Sequence, residues 1–113
     1  MIIPSPTDPE AVNFDLCWKD ASRDDVLVDF PLALEFEWSR DGCLYDFQKL
    51  LMARSKHRVM VFAANDEPDW RNRCKHLIGH MGGFALTNHG DRMLFAGWNV
   101  AERRFHFRVH VVH

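Results

Sequence analysis

A chain of 113 residues is long enough for one domain with a real core and too short for two. With 47% hydrophobic and 27% charged residues it reads as an ordinary globular protein, and no apolar run reaches the 18 residues of a membrane-spanning helix, which excludes a helical membrane protein. The formal net charge of −2 hides a split, since residues 1–52 carry 4 Lys/Arg against 11 Asp/Glu and residues 53–113 carry 10 against 5.

Pro4, Pro6 and Pro9 predict an irregular arm over residues 1–10. Val12-Asn13-Phe14-Asp15-Leu16-Cys17-Trp18 then alternates apolar with polar residues, a strand pattern. Lys19 to Arg23 is polar and predicts a turn. Two apolar runs follow, Val26–Val28 and Leu32–Leu34, separated by Asp29-Phe30-Pro31. They read as a second strand (25–30) and a third (32–38) joined by a tight turn. On the third strand Leu32, Leu34, Phe36 and Trp38 share one face, and Ala33, Glu35 and Glu37 share the other.

Ser39-Arg40-Asp41-Gly42 breaks this pattern. From Cys43 the period is helical, with Leu44, Phe47, Leu50 and Leu51 on one face and Arg54 to His57 closing the helix in positive charge. Residues 58–64 form a near-continuous apolar run, as in a strand covered on both faces. Asn65 or Asp66 can cap a second helix with Pro68 in its first turn. Trp70, Cys74, Leu77, Ile78 and Met81 make its apolar stripe, and Gly82-Gly83 ends it. After a loop at residues 87–91, strands at 93–98 and 105–112 are joined across residues 99–104. In the last strand Phe105, Phe107, Val109 and Val111 are expected to face the core, and His106, Arg108 and His110 to face outward or toward a partner. The order is β-β-β-α-β-α-β-β in a single domain over residues 1–113, an α+β (α/β) chain with a mixed sheet. A helix between strands predicts a right-handed crossover and a parallel pair.

Three widely spaced cysteines, Cys17, Cys43 and Cys74, are odd in number and predict free thiols in a reducing, cytoplasmic setting. Met1 to Pro9 lacks the basic and apolar regions of a signal peptide. The chemistry concentrates at Glu35 and Glu37. Two carboxylates side by side on an apolar strand need a cation, a basic residue or a proton. With Asp24 and Asp25 at the far end of the expected hairpin, a divalent metal would satisfy several acids at once. The plainer alternative is a solvated strand face. His76 and His80 stand four apart, a zinc-compatible spacing, but Leu77, Ile78 and Gly79 complete no His-Glu-x-x-His motif, so they read as surface or partly buried histidines. His106, Arg108 and His110 with Arg103 and Arg104 form a basic edge, suited either to phosphate or to keeping an exposed strand from pairing.

Asp25, then Leu32-Ala33-Leu34-Glu35-Phe36-Glu37-Trp38, then Asp46-Phe47-Gln48-Lys49 resemble the PD-(D/E)XK nuclease superfamily, in the branch where Glu or Gln replaces the lysine of the (D/E)-x-K motif. The resemblance covers roughly residues 12–64. It implies a restriction-endonuclease-like core, whose first helix has no room here, and a Mg²⁺-dependent (or Mn²⁺-dependent) endonuclease acting on DNA or RNA. By carry-over, Asp25 and Glu35 hold metal, with Asp24 and Asp29 as alternative acids. Glu37 takes the place of the missing lysine, and Lys49 reaches in from the helix. No membrane partner is expected. The short sheet leaves apolar surface for a twin subunit, so a homodimer is expected. The competing class is a non-catalytic endonuclease-fold module that binds a protein partner or nucleic acid.

Overall fold

The computed structural model describes residues 2–4, 16–21, 27–53 and 55–113, and side chains from Leu32 onward apart from residues 40, 41 and 54. Their elements are β1 (Ile2–Pro4), β2 (Leu16–Ala21), β3 (Leu27–Glu37), α1 (Arg40–Met52), β4 (His57–Ala64), α2 (Glu67–Gly83), β5 (Arg92–Asn99) and β6 (Arg104–Val111). The strands form one sheet in chain order. β1–β2, β2–β3 and β5–β6 are antiparallel, while β3–β4 and β4–β5 are parallel. The fold is therefore α+β, and the mixed part, β3 to β6, carries both helices.

The order of elements matches the expected string, but its members differ. Ile2–Pro4, expected to be irregular, pairs with β2. The first expected strand is described only from Leu16, and it runs through Ala21 where a turn was expected. The second and third expected strands are one, an 11-residue β3 with no hairpin at Asp29-Phe30-Pro31. Proline is tolerated there for a physical reason. Trp18 pairs with Leu32 and Asp20 with Asp29, so β3 carries an extra residue between the two pairs, and the parallel pairing to β4 begins only at Leu32. Pro31 thus sits at a bulge, where a missing N–H breaks no regular ladder.

Both crossovers run in the same direction along the sheet, and right-handedness puts both helices on one face. Phe47 of α1 packs on Phe95 at 5.8 Å between ring centroids, and Trp70 of α2 stacks on Phe62 at 5.3 Å. This side holds the core, with Ala33, Met60, Phe62, Met93 and Phe95 from the strands and Cys43, Phe47, Leu50, Cys74, Leu77 and Met81 from the helices. Arg58 is buried among them, 3.6 Å from Asp91 and 3.4 Å from the Leu50 carbonyl oxygen, tying β4 to α1 and to the loop before β5.

α1 begins at Arg40, earlier than the apolar spacing indicates, because the Ser39 hydroxyl caps it by accepting from Gly42 N–H at 3.1 Å. It ends at Met52 and does not include residues 55–57, while Arg54 lies outside the described residues; Ala53 N–H bonds the Lys49 carbonyl and His57 already belongs to β4. α2 starts as expected on Asp66, whose side chain accepts from Asp69 N–H, with Pro68 in the first turn. β4, expected to be covered on both faces, buries one row and half-buries the other.

The assignment of faces on β6 is reversed. Phe105, Phe107 and Val109 are exposed, while His106, Arg108 and His110 share the face of Gly97, Phe95 and Met93 under the helix layer. Among the described residues no helix lies on the opposite face of the sheet.

Candidate functional site

The inner row of β3 places Ala33, Glu35 and Glu37 beneath α1. On that helix Gly42, Asp46 and Lys49 recur at i, i+4 and i+7, a stripe beside the apolar stripe of Cys43, Phe47 and Leu50. The polar stripe crosses the two glutamates. Lys49 Nζ lies 3.0 Å from Glu35 Oε1 and 3.6 Å from Asp46 Oδ1. Glu35 is 1% exposed, so it is not on a solvated face. Loss of water pulls the Lys49 ammonium pKa down, but the Glu35 and Asp46 carboxylates outweigh this and the net shift is upward.

Glu37 lies at the other end of the stripe. Its Oε1 accepts from Ser39 N–H at 2.8 Å. That backbone bond is the main reason its carboxyl is held below the ordinary value of 4.5; the Ser39 hydroxyl adds to it, burial opposes it, and Asp46 and the Trp38 N–H add further. The positive end of the α1 dipole lies alongside. Gly42 makes the fit possible, because a Cβ there would stand 2.7 Å from Glu37 Oε2 and 3.0 Å from Ser39 Oγ.

The structure thus brings Glu35, Glu37 and Lys49 together and adds Asp46, which sequence reasoning quoted only as part of a motif. The signal for Asp46 was its i, i+3 spacing to Lys49 on the face next to the apolar stripe. Asp24 and Asp25 lie outside the described residues. Asp29 is on β3 itself, six residues before Glu35, about 20 Å along an extended chain, so it does not converge with it. Among the described residues no group of three His, Cys, Asp or Glu side chains is arranged to hold a metal ion. A cation here would rest on two carboxylates and water.

His76 and His80 meet edge to face with centroids 4.7 Å apart beside a groove of about 700 Å³ between the helices. Cys74 is fully buried, and burial pushes its thiol up to about 12, which makes it a poor zinc ligand. In the basic edge, His106 stacks on Trp70 at 5.9 Å and its Nε2 lies 3.0 Å from Asn99 Nδ2, so that bond requires the neutral ring with Nε2 accepting. Arg108 joins Arg71 and Lys75 of α2 around a cavity of about 410 Å³. Among the described residues no helix is long and apolar enough to cross a membrane. In comparisons with known proteins, the chain matches no family model, no curated protein and no solved structure.

Proposed function

We propose that the chain is a metal-dependent nucleic-acid phosphodiester hydrolase with a restriction-endonuclease-like core. Glu35 and Asp46 are its cation-holding carboxylates, Lys49 its cationic catalytic group and Glu37 the neighbouring acid. One observation carries the reading: the buried Glu35 carboxylate shares a single ammonium with Asp46, at 3.0 and 3.6 Å. Carboxylates gathered around one positive charge are a donor set for a hard cation. Mg²⁺ is commonly held by one or two carboxylates with water completing its shell. When bound, Mg²⁺ or Mn²⁺ would supply an ionised water and charge for the leaving oxygen. Lys49 is the residue a phosphoryl oxygen can approach, since its side chain is 18% exposed where that of Glu35 is 2%. Glu37, held ionised, suits orienting water rather than donating a proton.

Two further features support the reading. Three strands paired antiparallel, then a helix, then a strand parallel to one of them, follow the order of the resembled core after its first helix. The cavity lined by Arg71, Lys75 and Arg108 suits the phosphates of DNA or RNA.

Thermal-shift titration with Mg²⁺ and Mn²⁺ tests it. The cation is expected to raise the melting temperature of the native chain. It should raise that of Lys49→Met further, by replacing the missing ammonium, and have no effect once Glu35→Gln is added. Plasmid and single-stranded substrates in Mn²⁺ should be cut by the native chain and left intact by Lys49→Met. If neither protein responds to cation and no substrate is cut, the enzymatic reading fails. The second reading, an endonuclease-fold module without chemistry, is favoured by a different observation: the sheet face away from α1 and α2 exposes Phe36, Trp38, Phe105, Phe107 and Val109.

A further inference from the structure

We propose that the open face of the sheet is the surface through which two copies of this chain associate. The inference goes beyond the catalytic reading and holds whether or not Glu35 meets a cation. Its basis is a row across four strands. Phe36 pairs with Val61, Val61 with Ala96 and Ala96 with Phe107, so the four lie side by side on the face away from the helices. Phe36 is 41% exposed and Phe107 68%, while Ala96 between them is 6% exposed. Large, medium, small and large side chains in sequence make a trough between two aromatic ridges, about 14 Å apart at the usual strand spacing.

Each ridge is built from more than one ring. Trp38 meets Phe36 edge to face at 4.6 Å, and Phe105 bridges Trp98 at 5.1 Å and Phe107 at 5.9 Å. From β3 to β6 the row bears no charge, and the adjoining row of Leu34, Val59, Leu94 and Val109 bears none either. Arg92 and His57 mark one end of the face.

Size and relief together select the occupant. At about 200 Å² for a whole aromatic side chain, Phe36, Trp38, Phe105 and Phe107 present roughly 400 Å². That is about half of the ~800 Å² that each partner gives to a standard interface, before the half-buried residues between them contribute. Contiguous apolar surface of this extent marks an interaction site. A two-fold axis parallel to the strands, lying between the two facing surfaces, lets a ridge of one copy enter the trough of the other, and the contact repeats by symmetry. Sheets packed this way interdigitate their facing side chains at about 10 Å separation. Where these uncharged rows meet the same rows of a second copy, there is no like-charge repulsion.

Sedimentation equilibrium of the full chain tests the proposal. At micromolar concentration the native chain should have twice the mass of one chain and dissociate on dilution. Phe107→Asp and Val109→Asp, at positions already exposed, should each give one chain mass with unchanged far-ultraviolet circular dichroism. Tyr45→Asp, on the exposed side of α1, should leave the dimer intact. A native chain of one chain mass throughout this range overturns the proposal, as does a dimer that survives both β6 substitutions. If either variant loses its fold, the concentration dependence of the native mass and the other variant decide.

Discussion

Lys49 Nζ stands 3.0 Å from Glu35 Oε1, and this contact joins a buried carboxylate to a mostly buried ammonium between β3 and α1. Such a pair is poor evidence of stability in itself, because taking both charges out of water costs nearly as much as their attraction returns. Removing one partner is another matter. Lys49→Met should leave the Glu35 carboxylate buried beside Asp46 and cost about 2–3 kcal/mol, a fall in melting temperature on the order of 10 °C. Lys49→Met combined with Glu35→Leu should recover most of that loss. Urea melts of the two single variants and the double variant measure the coupling; a double variant as unstable as the sum of the singles would show that the pair is not coupled.

Glu37 makes stability depend on pH in a definite direction. Its carboxyl is held below 4.5 chiefly by the Ser39 N–H, so the folded chain releases this proton more readily than the unfolded chain. The stabilisation is complete above the ordinary value and is lost as pH falls through the lower, folded value. Native and Glu37→Gln chains should therefore differ most above 4.5 and converge in acid. Gly42→Ala is the sharper probe. Alanine favours a helix interior by about 1 kcal/mol, but its Cβ would stand 2.7 Å from Glu37 Oε2 and push the carboxylate off its donor. The expected outcome is a near-neutral change in stability at neutral pH with the acid limb moved up toward the ordinary carboxylate value, read from urea melts across that range.

How much of this was legible in the sequence follows from what a pattern can carry. α2 was almost wholly readable: Asp66, Pro68 and the Trp70, Cys74, Leu77, Met81 stripe are local signals, and the structure has each in its expected role. The alternation of β6 was equally visible, yet its inner and outer faces came out reversed. A period of two separates the faces without saying which one receives a layer. That was decided by β3, β4 and β5 advancing in one direction, which puts both helices on the face that carries His106 and leaves Phe107 exposed. The hairpin at Asp29-Phe30-Pro31 failed because proline reads as a breaker unless a bulge opposes it, and the bulge depends on pairing with β2. At the site, Glu35, Glu37 and Lys49 could be nominated from spacing. Asp46 could not be given a role until the polar stripe of α1 was seen to cross β3.

The thiols should be unreactive for a reason set by packing. Cys74 is fully buried and its pKa is pushed up to about 12 by loss of water; Cys43 is raised by the same cause, with Arg73 opposing it weakly. The nucleophile in disulfide exchange is the thiolate, and neither residue forms one near neutral pH. Of the three cysteines, no more than one, Cys17, is expected to react with an aromatic disulfide reagent in the native chain, and all three in urea. Rapid titration of two or three thiols without denaturant would contradict the packing of α1 against α2.

Trp70 presses its indole onto Gly97, and the contact leaves no room for a side chain on β5 at that point. A Cβ there would stand 2.2 Å from Trp70 Cε3 and 2.4 Å from Cζ3. The indole cannot retreat easily, because it is sandwiched between Phe62 at 5.3 Å and His106 at 5.9 Å. Gly97→Ala should therefore cost about 3 kcal/mol by overpacking, although alanine would otherwise favour a strand slightly over glycine. Trp70→Ala alone should cost about 3–5 kcal/mol from the cavity it leaves. Combined, the two should be less damaging than their sum, since the added methyl enters the space vacated by the ring. Urea melts of all four proteins check this. Strict additivity would mean that Trp70 does not occupy the surface of Gly97, and that α2 is seated elsewhere on the sheet.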